Sequence, residues 1–427
     1  MSRVLVESGI EWIGKYPAEW NLSPLRGIVD NINEKNNPIK FTNVLSLTNK
    51  LGVVPYEEKG DLGNISKEDI SQYKIAYKDT VIINSMNLKI GSVGYSNYDG
   101  CVSPVYYVLK NNEKSDISFI NYIFQSNFQK YLGKYGKGIL EIREKISMYD
   151  ILHSYIPVPS LIEQKRIASY LDKQCAKIDE IINDNNREVE LLQEYKSNFI
   201  SKVIEKGMTG GVKKIDNKYI SSIPNNSSLV MLKQITNLIT DGTHQTPTYI
   251  SDGIPFLSIK DISSGIIDLS NCKYISNEEH KALSKHANIE KNDLLFCRIG
   301  TLGKSIVVEE KFLPFDIFVS LGLIKIKKEI INPYYLKYVM ESNYYKEYIE
   351  VVKIDGGVSA AKFNLSSVKS SPIILPKLDE QNLIVKYLNK QCSKLDQVIK
   401  YRKQIIEKLE EYKKSLIYEC VTGKREV

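Results

Sequence analysis

Two stretches of the chain carry apolar residues at alternating steps of four and three positions, which is the spacing of a coiled-coil helix. In the stretch after Pro159 the spaced positions are Leu171, Cys175, Ile178, Ile182, Asn185, Val189, Leu192, Lys196, Phe199 and Val203. In the stretch after Pro376 they are Leu388, Cys392, Leu395, Ile399, Arg402, Ile406, Leu409, Lys413, Leu416 and Cys420. Each stretch ends near a glycine, Gly207 or Gly423, so the pattern predicts two long helices.

These two stretches repeat one another in sequence. "PSLIEQKRIASYLDKQCAKIDEII" from Pro159 returns as "PKLDEQNLIVKYLNKQCSKLDQVI" from Pro376, with an offset of 381 − 164 = 217 between Gln164 and Gln381. A period of about half the chain is too long for a solenoid repeat. The repeat therefore indicates a duplicated protein with two-fold pseudosymmetry.

The apolar pattern of each helix is interrupted by polar residues at equivalent places, Asn185 with Arg402 and Lys196 with Lys413. A single amphipathic helix usually packs on its own domain, and that interpretation stays open for either one. Two matched helices with coiled-coil spacing in one chain favour pairing between them. We predict an antiparallel pair in which the polar positions fix the register.

The region in front of each helix resembles its counterpart more faintly. "VLSLTNKLGVV" from Val44 parallels "FLSIKDISSGII" from Phe256, and both regions mix short strands with helices, such as 117–131 and 333–348. The framework segments match and the segments between them do not, as expected for a duplicated scaffold whose loops diverged. We predict an α+β fold with pseudo-two-fold symmetry. It consists of two globular mixed α/β domains, 1–158 and 211–375, and two helical segments forming an antiparallel coiled coil, 159–210 and 376–427.

Composition limits the class of protein. The formal net charge of +7 suits a polyanionic partner without requiring one, and 42% hydrophobic residues can supply the cores. No apolar run approaches the roughly 18 residues of a membrane span, so we expect a cytoplasmic protein with no membrane partner. Six cysteines without a C-x-x-C pair and four histidines without an H-E-x-x-H motif predict reduced interior cysteines and no metal site.

Catalytic motifs are incomplete in this chain. "GTLGKS" at 300–305 has two residues between its glycines, where a phosphate-binding loop needs four. "NPYY" at Asn332 lacks the second proline of the amino-methyltransferase motif N-P-P-Y, and Pro333 is better explained as the first residue of a helix. We therefore predict no catalytic residue, and a fused methyltransferase is disfavoured.

The sequence resembles the specificity subunit of type I restriction-modification enzymes. The resemblance rests on "NSMNLKIGSVG" from Asn84, "YDGCVSPVYYVLK" from Tyr98, "DGTHQTPTY" from Asp241, "GIPFLSIKDISSGII" from Gly253, "NDLLFCRIGTLGKSIVV" from Asn292 and the two helix starts. It extends from Trp12 to Gly423, in the family's order of recognition domain, helix, recognition domain, helix.

The resemblance implies a non-catalytic subunit whose two target-recognition domains each read one half of an interrupted double-stranded DNA site. It implies that the helices set the spacer and carry two adenine methyltransferase subunits, and that restriction and translocation subunits join for cleavage. S-adenosylmethionine, ATP and Mg are expected in those partners, and no cofactor is expected in this chain. A specificity subunit of a type IIB restriction system and a coiled-coil adaptor that binds no DNA stay open as alternatives.

Basic and amide side chains on glycine-containing loops are the candidates for DNA contact, because they recognise phosphates and base edges. In the first domain they are Asn84, Asn87, Lys89, Lys134, Tyr135, Lys137, Arg143 and Lys145. In the second domain, where several match stretches that approach DNA in the family, they are Thr243, His244, Gln245, Thr246, Lys260, Arg298, Thr301, Lys304, Lys353, Ser359 and Lys362. The predicted contact line of the helix pair includes Leu171, Ile178, Asn185, Leu192, Leu388, Leu395, Arg402 and Leu409.

Overall fold

The computed structural model describes residues 3–48, 52–60, 69–88, 91–136, 145–208, 210–262, 265–355 and 360–427. The chain divides into two compact units, which we call unit 1 (Met1–Asn186 with Lys403–Val427) and unit 2 (Arg187–Arg402). Each unit combines one of the two mixed regions with portions of both long helices.

Unit 1 is built mainly from short strands. Its strands are β1 (Leu5–Glu7), β2 (Lys15–Pro17), β3 (Asn21–Pro24), β4 (Val29–Ile32), β5 (Leu45–Thr48), β6 (Gly52–Pro55), β7 (Lys74–Ala76), β8 (Thr80–Asn84), β9 (Val93–Ser96), β10 (Gly100–Val102), β11 (Tyr106–Asn111) and β12 (Tyr155–Val158). Its short helices are α1 (Ile117–Gln125), α2 (Phe128–Leu132) and α3 (Met148–His153). The first long helix is α4 (Leu161–Lys206).

Unit 2 has a similar make-up. Its strands are β13 (Val212–Lys214), β14 (Ser222–Pro224), β15 (Ser228–Met231), β16 (Thr236–Asp241), β17 (Ile254–Leu257), β18 (Lys273–Ile275), β19 (Leu294–Cys297), β20 (Ser305–Val307), β21 (Asp316–Ile317), β22 (Leu321–Ile326) and β23 (Pro372–Leu375). Its short helices are α5 (Ile259–Ile262), α6 (Asn277–Leu283), α7 (Pro333–Glu341), α8 (Asn343–Val352) and α9 (Leu365–Ser370). The second long helix is α10 (Leu378–Val421).

The same sheet recurs in both units. In unit 1 four antiparallel strands follow the order β4-β11-β8-β9, and in unit 2 the order is β16-β22-β19-β20. Tyr106 lies opposite Asn84 in unit 1, as Leu321 lies opposite Cys297 in unit 2. The pairs β3 with β12 and β15 with β23 also match, as do β1 with β2 and β13 with β14. The duplication inferred from the helices therefore extends to the sheets.

The units differ outside this shared framework. In unit 1, β5 pairs with β6 and β7 pairs with β10 around a small core that includes Leu45 and Val108. In unit 2, the β18-β17-β21 sheet and α5 contribute to a separate core that includes Leu257 and Leu323. The segments that diverge in sequence therefore build different local architectures on a common support.

Each unit contains a broken helix where the sequence pattern suggests a continuous one. α1 and α2 are separate helices, and so are α7 and α8. At the breaks, the hydroxyls of Ser126 and Ser342 donate to the carbonyls of Ile123 and Val339, each at 2.6 Å. Such side-chain bonds compete with helical backbone bonding. The interruption thus has the same cause in both units.

The long helices pair antiparallel, and two equivalent ion pairs mark their register. In unit 1 Lys413 Nζ lies 2.6 Å from Asp179 Oδ2, and in unit 2 Lys196 Nζ lies 2.6 Å from Asp396 Oδ1. The offset of 217 exchanges the two pairs, since 179 + 217 = 396 and 196 + 217 = 413. The lysines that interrupt the apolar pattern are therefore the residues that align the helices.

The spaced positions of both helices face away from solvent. The buried ones are Leu171, Cys175, Ile178, Asn185, Val189, Val203, Leu388, Cys392, Ile399, Leu416 and Cys420. The half-buried ones are Ile182, Leu192, Lys196, Phe199, Leu395, Arg402, Ile406, Leu409 and Lys413. Both helices end before a glycine in the left-handed conformation, Gly207 and Gly423, each with φ of 71°.

Leucine in place of Asn185 is expected to leave the melting temperature nearly unchanged but to loosen the register. Asn185 is buried at a polar interruption of the apolar pattern, and its Nδ2 donates within its own helix to the carbonyl of Ile181 at 2.7 Å. A leucine would gain apolar contact but would remove the polar side chain that specifies this position of the pair. Leucine in place of Arg402, which is ion-paired with Glu188 at 2.9 Å, should have the same effect on the register. Distances between spin labels on the two helices would test this, because a second register broadens their distribution. An unchanged distribution in both variants would contradict the prediction.

A buried glutamine anchors the start of each long helix to its own unit. The side-chain amide of Gln164 makes hydrogen bonds of 2.9 to 3.1 Å to the backbone of Asp116, Lys114 and Pro159. Gln381 makes the same bonds, at 2.9 to 3.0 Å, to the backbone of Asn332, Ile330 and Pro376. Each glutamine therefore joins the helix to the turn before α1 or α7.

All six cysteines are buried and free. Burial raises the pKa of Cys101 and of Cys297 to about 11, so both thiols are protonated at neutral pH. This agrees with the prediction of reduced interior cysteines. Separately, no helix among the described residues has the length and apolarity that crossing a bilayer requires.

Candidate nucleic-acid interface

The candidate residues of unit 2 gather at one end of its four-stranded sheet. The segments that follow β16 and β19 lie beside the segment that leads into β22. Gly242 N donates to Leu321 O at 3.2 Å, and Arg298 N donates to Ser320 O at 2.9 Å. The sheet therefore brings Thr243–Thr246 and Arg298–Thr301 to the same end of its strands. We call this end, with its counterpart in unit 1, the loop edge of the unit.

The turn after β16 is pressed against the neighbouring backbone. Thr243 N donates to Ile317 O at 3.1 Å, and Val319 N donates to Thr243 O at 3.0 Å. A Cβ on Gly242 would lie 2.0 Å from the carbonyl oxygen of Ile317, so only glycine fits there. Because the turn is fixed at its base, His244, Gln245 and Thr246 stand exposed on a rigid support.

Arg298 is committed to contacts within unit 2. Its guanidinium forms an ion pair with Asp241 and donates to Val319 O at 3.3 Å. The two side chains are only 14% and 10% exposed. The carboxylate of Asp241 also lies 3.2 Å from His244 Nε2. Arg298 thus joins the ends of three strands. It also holds Asp241, the residue that contacts His244.

The segment before α9 reaches the same edge. Phe363 N donates to Arg298 O at 2.8 Å, and Lys362 exchanges two backbone hydrogen bonds of 2.9 Å with Ile354. This places exposed Lys362 beside the turn that follows β19. Lys353, at the end of α8, is ion-paired with Glu350 at 2.7 Å. Ser359 lies outside the described residues.

Three further candidates of unit 2 are less closely connected to the loop edge by hydrogen bonds. Thr301 is exposed in the turn after β19, and Lys304 is half-buried just before β20. Lys260 lies on α5, where its Nζ donates to Asn271 O at 3.2 Å. Of these, Thr301 belongs with the loop edge most directly, because it follows Arg298 in the same turn.

Unit 1 repeats the arrangement with other side chains. Ile146 N donates to Ser85 O at 3.1 Å, which is the counterpart of the bond between Phe363 and Arg298. Ser85 therefore occupies the position of Arg298. Its neighbour Asn84 is buried, with Oδ1 accepting from Met86 N at 3.1 Å, while Asn87 is half-buried and Lys145 is exposed. The structure brings Asn84, Asn87 and Lys145 together.

Sequence reasoning missed Lys74, which lies beside this cluster. Its Nζ donates to Tyr106 O at 2.9 Å and sits 5.3 Å from the ring centroid of Tyr107. Burial, and secondarily the charge of Lys145, lower the pKa of Lys74. Two ammonium groups near one strand end create a positive potential that suits an anion. The available signal was a lysine heading the otherwise apolar strand β7.

Lys134 and Tyr135 lie on a different segment of unit 1, the turn after α2. Lys134 Nζ is 3.6 Å from the ring centroid of Tyr131 and 4.8 Å from that of Tyr135, so two aromatic faces hold the ammonium group. It lines a cavity of about 340 Å³ together with Trp12 and Lys130. The remaining candidates lie outside the described residues: Lys89, Lys137 and Arg143.

The fold defines a class of duplicated proteins, in which two different loop edges occupy equivalent places on two α+β units, and each unit contains part of both long helices. The family described as "Type I restriction modification DNA specificity domain" matches this chain twice, at residues 17–191 and 224–411. The chain therefore belongs to this family.

Relatives and a solved structure agree with this assignment. A putative type I restriction enzyme MjaX specificity subunit of Methanocaldococcus jannaschii is 24% identical over 96% of this chain and 95% of its own. The type I restriction enzyme EcoBI specificity subunit of Escherichia coli is 25% identical over 65% of this chain and 60% of its own. A chain in a structure concerning complex assembly and conformational transition of the type I R-M system has a TM-score of 0.69, at 15% identity, over 96% of this chain and 99% of that one. The last likeness supports the fold.

Proposed function

We propose that this chain selects the DNA sequence on which a type I restriction-modification complex acts, with each unit reading one half of an interrupted, asymmetric duplex site. The observation that carries the proposal is the combination of one repeated scaffold with two different loop edges. Ser85 in unit 1 and Arg298 in unit 2 occupy equivalent positions, yet the hydroxyl of Ser85 donates to Val105 O, whereas Arg298 pairs with Asp241. Matched supports that carry different loops suit a target whose two halves differ in sequence.

The paired helices are proposed to set the spacer between the half-sites. α4 has 46 residues, which is about 69 Å at 1.5 Å per residue. The equivalent ion pairs of Lys196 and Lys413 hold the antiparallel register in both units. A register held at two equivalent ion pairs supports a fixed spacing, because each unit contains part of both helices.

Exposed apolar side chains on the helix pair support a docking role. Tyr195 and Val398 lie next to the ion pair of unit 2, and Ile181 and Tyr412 lie next to that of unit 1. All four occupy heptad position g when Lys196 and Lys413 are placed at a, and g positions share one side of an antiparallel pair. We call these two equivalent sets the g patches. Two equivalent patches suit two copies of one partner, proposed to be adenine methyltransferase subunits.

The chemistry is proposed to reside in those partners and in restriction subunits that bind ATP and Mg. S-adenosylmethionine would be bound by the methyltransferase subunits, and this chain would supply sequence selection alone. The incomplete phosphate-loop motif at 300–305 fits this division, because residues 300–304 form the turn after β19 that carries Thr301, and Ser305 begins β20.

Loss of this gene is expected to remove one N6-methyladenine motif from the host genome. The motif should be interrupted and asymmetric, because two different loop edges would read its halves. Genome-wide mapping of N6-methyladenine in cells with the gene, without it, and with the gene restored would measure this. A methylation pattern that stays the same in all three, while the partner methyltransferase is active, would overturn the proposed function.

A further inference from the structure

One side chain in the loop edge of unit 2 is both exposed and held in a fixed orientation. His244 is 72% exposed, yet its Nε2 lies 3.2 Å from the carboxylate of Asp241. The neighbouring Gln245 and Thr246 are also exposed, and their side chains make no hydrogen bond within the described part of the chain. An exposed ring anchored at one nitrogen presents its other nitrogen in a defined direction.

The partner of His244 determines what that second nitrogen can do. A carboxylate only accepts hydrogen bonds, so Nε2 must carry the hydrogen that joins the ring to Asp241. In a neutral imidazole the other nitrogen, Nδ1, is then an acceptor. No hydrogen bond in the described residues uses Nδ1 of His244. With its ring neutral, His244 therefore offers a fixed acceptor to whatever lies against the loop.

Because Nδ1 of His244 accepts hydrogen bonds, several DNA groups are excluded as its targets. Phosphate oxygens, guanine N7 and O6, and thymine O4 are all acceptors, and none can donate to Nδ1. The major-groove donors are the exocyclic amino groups of adenine, N6, and cytosine, N4. The chemistry of the site thus selects an amino group.

Arg298 is a positioning residue in this arrangement. Its guanidinium pairs with the same carboxylate oxygen that contacts His244, and it is also bonded to Val319 O. Asp241 is buried, and Arg298 supplies the opposite charge that a carboxylate shielded from water requires. Arg298 is accordingly occupied inside the unit.

From this geometry we infer that His244 reads the exocyclic amino group of one adenine or cytosine, with Asp241 setting the ring and Arg298 holding Asp241. The inference rests on the proposed function, because it takes DNA as the ligand of this loop edge. It predicts that one position of the half-site read by unit 2 must supply an exocyclic amino group.

Base analogues test the inference in the assembled methyltransferase complex. Duplexes carrying the site found by methylation mapping would have each adenine of one half-site replaced in turn by purine, which lacks the N6 amino group, and each cytosine by 2-pyrimidinone, which lacks the N4 amino group. At one position, replacing the base should weaken binding by wild type roughly 10- to 100-fold. The same replacement should leave the affinity of the His244→Ala variant unchanged. His153→Ala, which changes a half-buried histidine of unit 1, should keep wild-type sensitivity.

The role of Arg298 has its own readout. Arg298→Ala should lose the analogue sensitivity at the same position, and Arg298→Lys should keep it, since lysine retains the charge that faces Asp241. The double variant with His244→Ala should lose no further discrimination there. Equal analogue sensitivity in wild type and His244→Ala, with site-selective binding intact, would overturn this inference alone. Absence of any site-selective binding by wild type would instead overturn the proposed function.

Discussion

Leucine in place of Gln164 is expected to lower the free energy of unfolding of unit 1 by about 3 to 5 kcal/mol. The side chain is fully buried, and its amide satisfies one backbone N–H and two backbone carbonyls. Leucine has a similar size but would leave all three backbone groups without this partner, at a cost of about 1 to 3 kcal/mol for each group that water cannot reach. Hydrogen exchange of the Asp116 amide would report directly the loss of its hydrogen bond. Denaturant unfolding would measure the total change in the free energy of unfolding.

The internal repeat provides a second instance and a control for this prediction. Gln381→Leu should weaken unit 2 by a similar amount, because it removes the same set of backbone bonds. Gln193→Leu changes an exposed glutamine of α4 and should change stability by less than about 0.5 kcal/mol. Equal losses in Gln164→Leu and Gln193→Leu would contradict the anchoring role.

If the proposed docking is correct, lysine in place of Tyr195 or Tyr412 is expected to remove one of the two methyltransferase subunits that we propose to bind. Each tyrosine belongs to one g patch, and the two are 58% and 49% exposed, so substitution should not disturb folding. A charge placed in an apolar contact must be desolvated without a partner, which strongly weakens binding. Native mass spectrometry of the co-expressed complex should show two partner copies for wild type, one for each single variant and none for the double variant.

Tyr401 offers a matched control for the docking prediction. It is an exposed tyrosine of α10, but it lies at heptad position c, away from the g patches. Tyr401→Lys should therefore keep both partner copies. The docking assignment fails if this variant loses a copy, or if the Tyr195 and Tyr412 double variant keeps both.

The helices and the duplication could be predicted from sequence because their signals are periodic and repeated. The spacing through Leu171 and Leu388 has one natural solution, two long helices, and the repeat of Gln164 as Gln381 shows that both start in the same way. Matched interruptions at Lys196 and Lys413 also indicated pairing. In the structure these lysines form the equivalent ion pairs.

The loop edges could be located but not resolved from sequence. Asp241 and Arg298 lie 57 positions apart, and no local pattern shows that they pair. The sequence predicts Arg298 only as a candidate for DNA contact, and the structure adds that its guanidinium is bound inside unit 2. Long-range side-chain pairing depends on strand order, which hydrophobic periodicity does not encode.

The broken helices and outer cores were missed for related reasons. Ser126 and Ser342 look like ordinary polar positions of a helix, and only their bonds to backbone carbonyls show the break. β13 has three exposed residues, yet it pairs with β14. Short strands with exposed side chains leave little apolar pattern to detect.

The two equivalent ion pairs of the helices also discriminate against misalignment. If α10 slipped by one heptad in one direction, Lys196 would face Lys403 instead of Asp396, and Lys413 would face Asn186. A slip in the other direction would put Lys196 opposite Asn389. Each error loses at least one attraction, and the first also adds a repulsion between like charges. The same residues that join the helices therefore act as a charge code against the nearest wrong alignments during assembly.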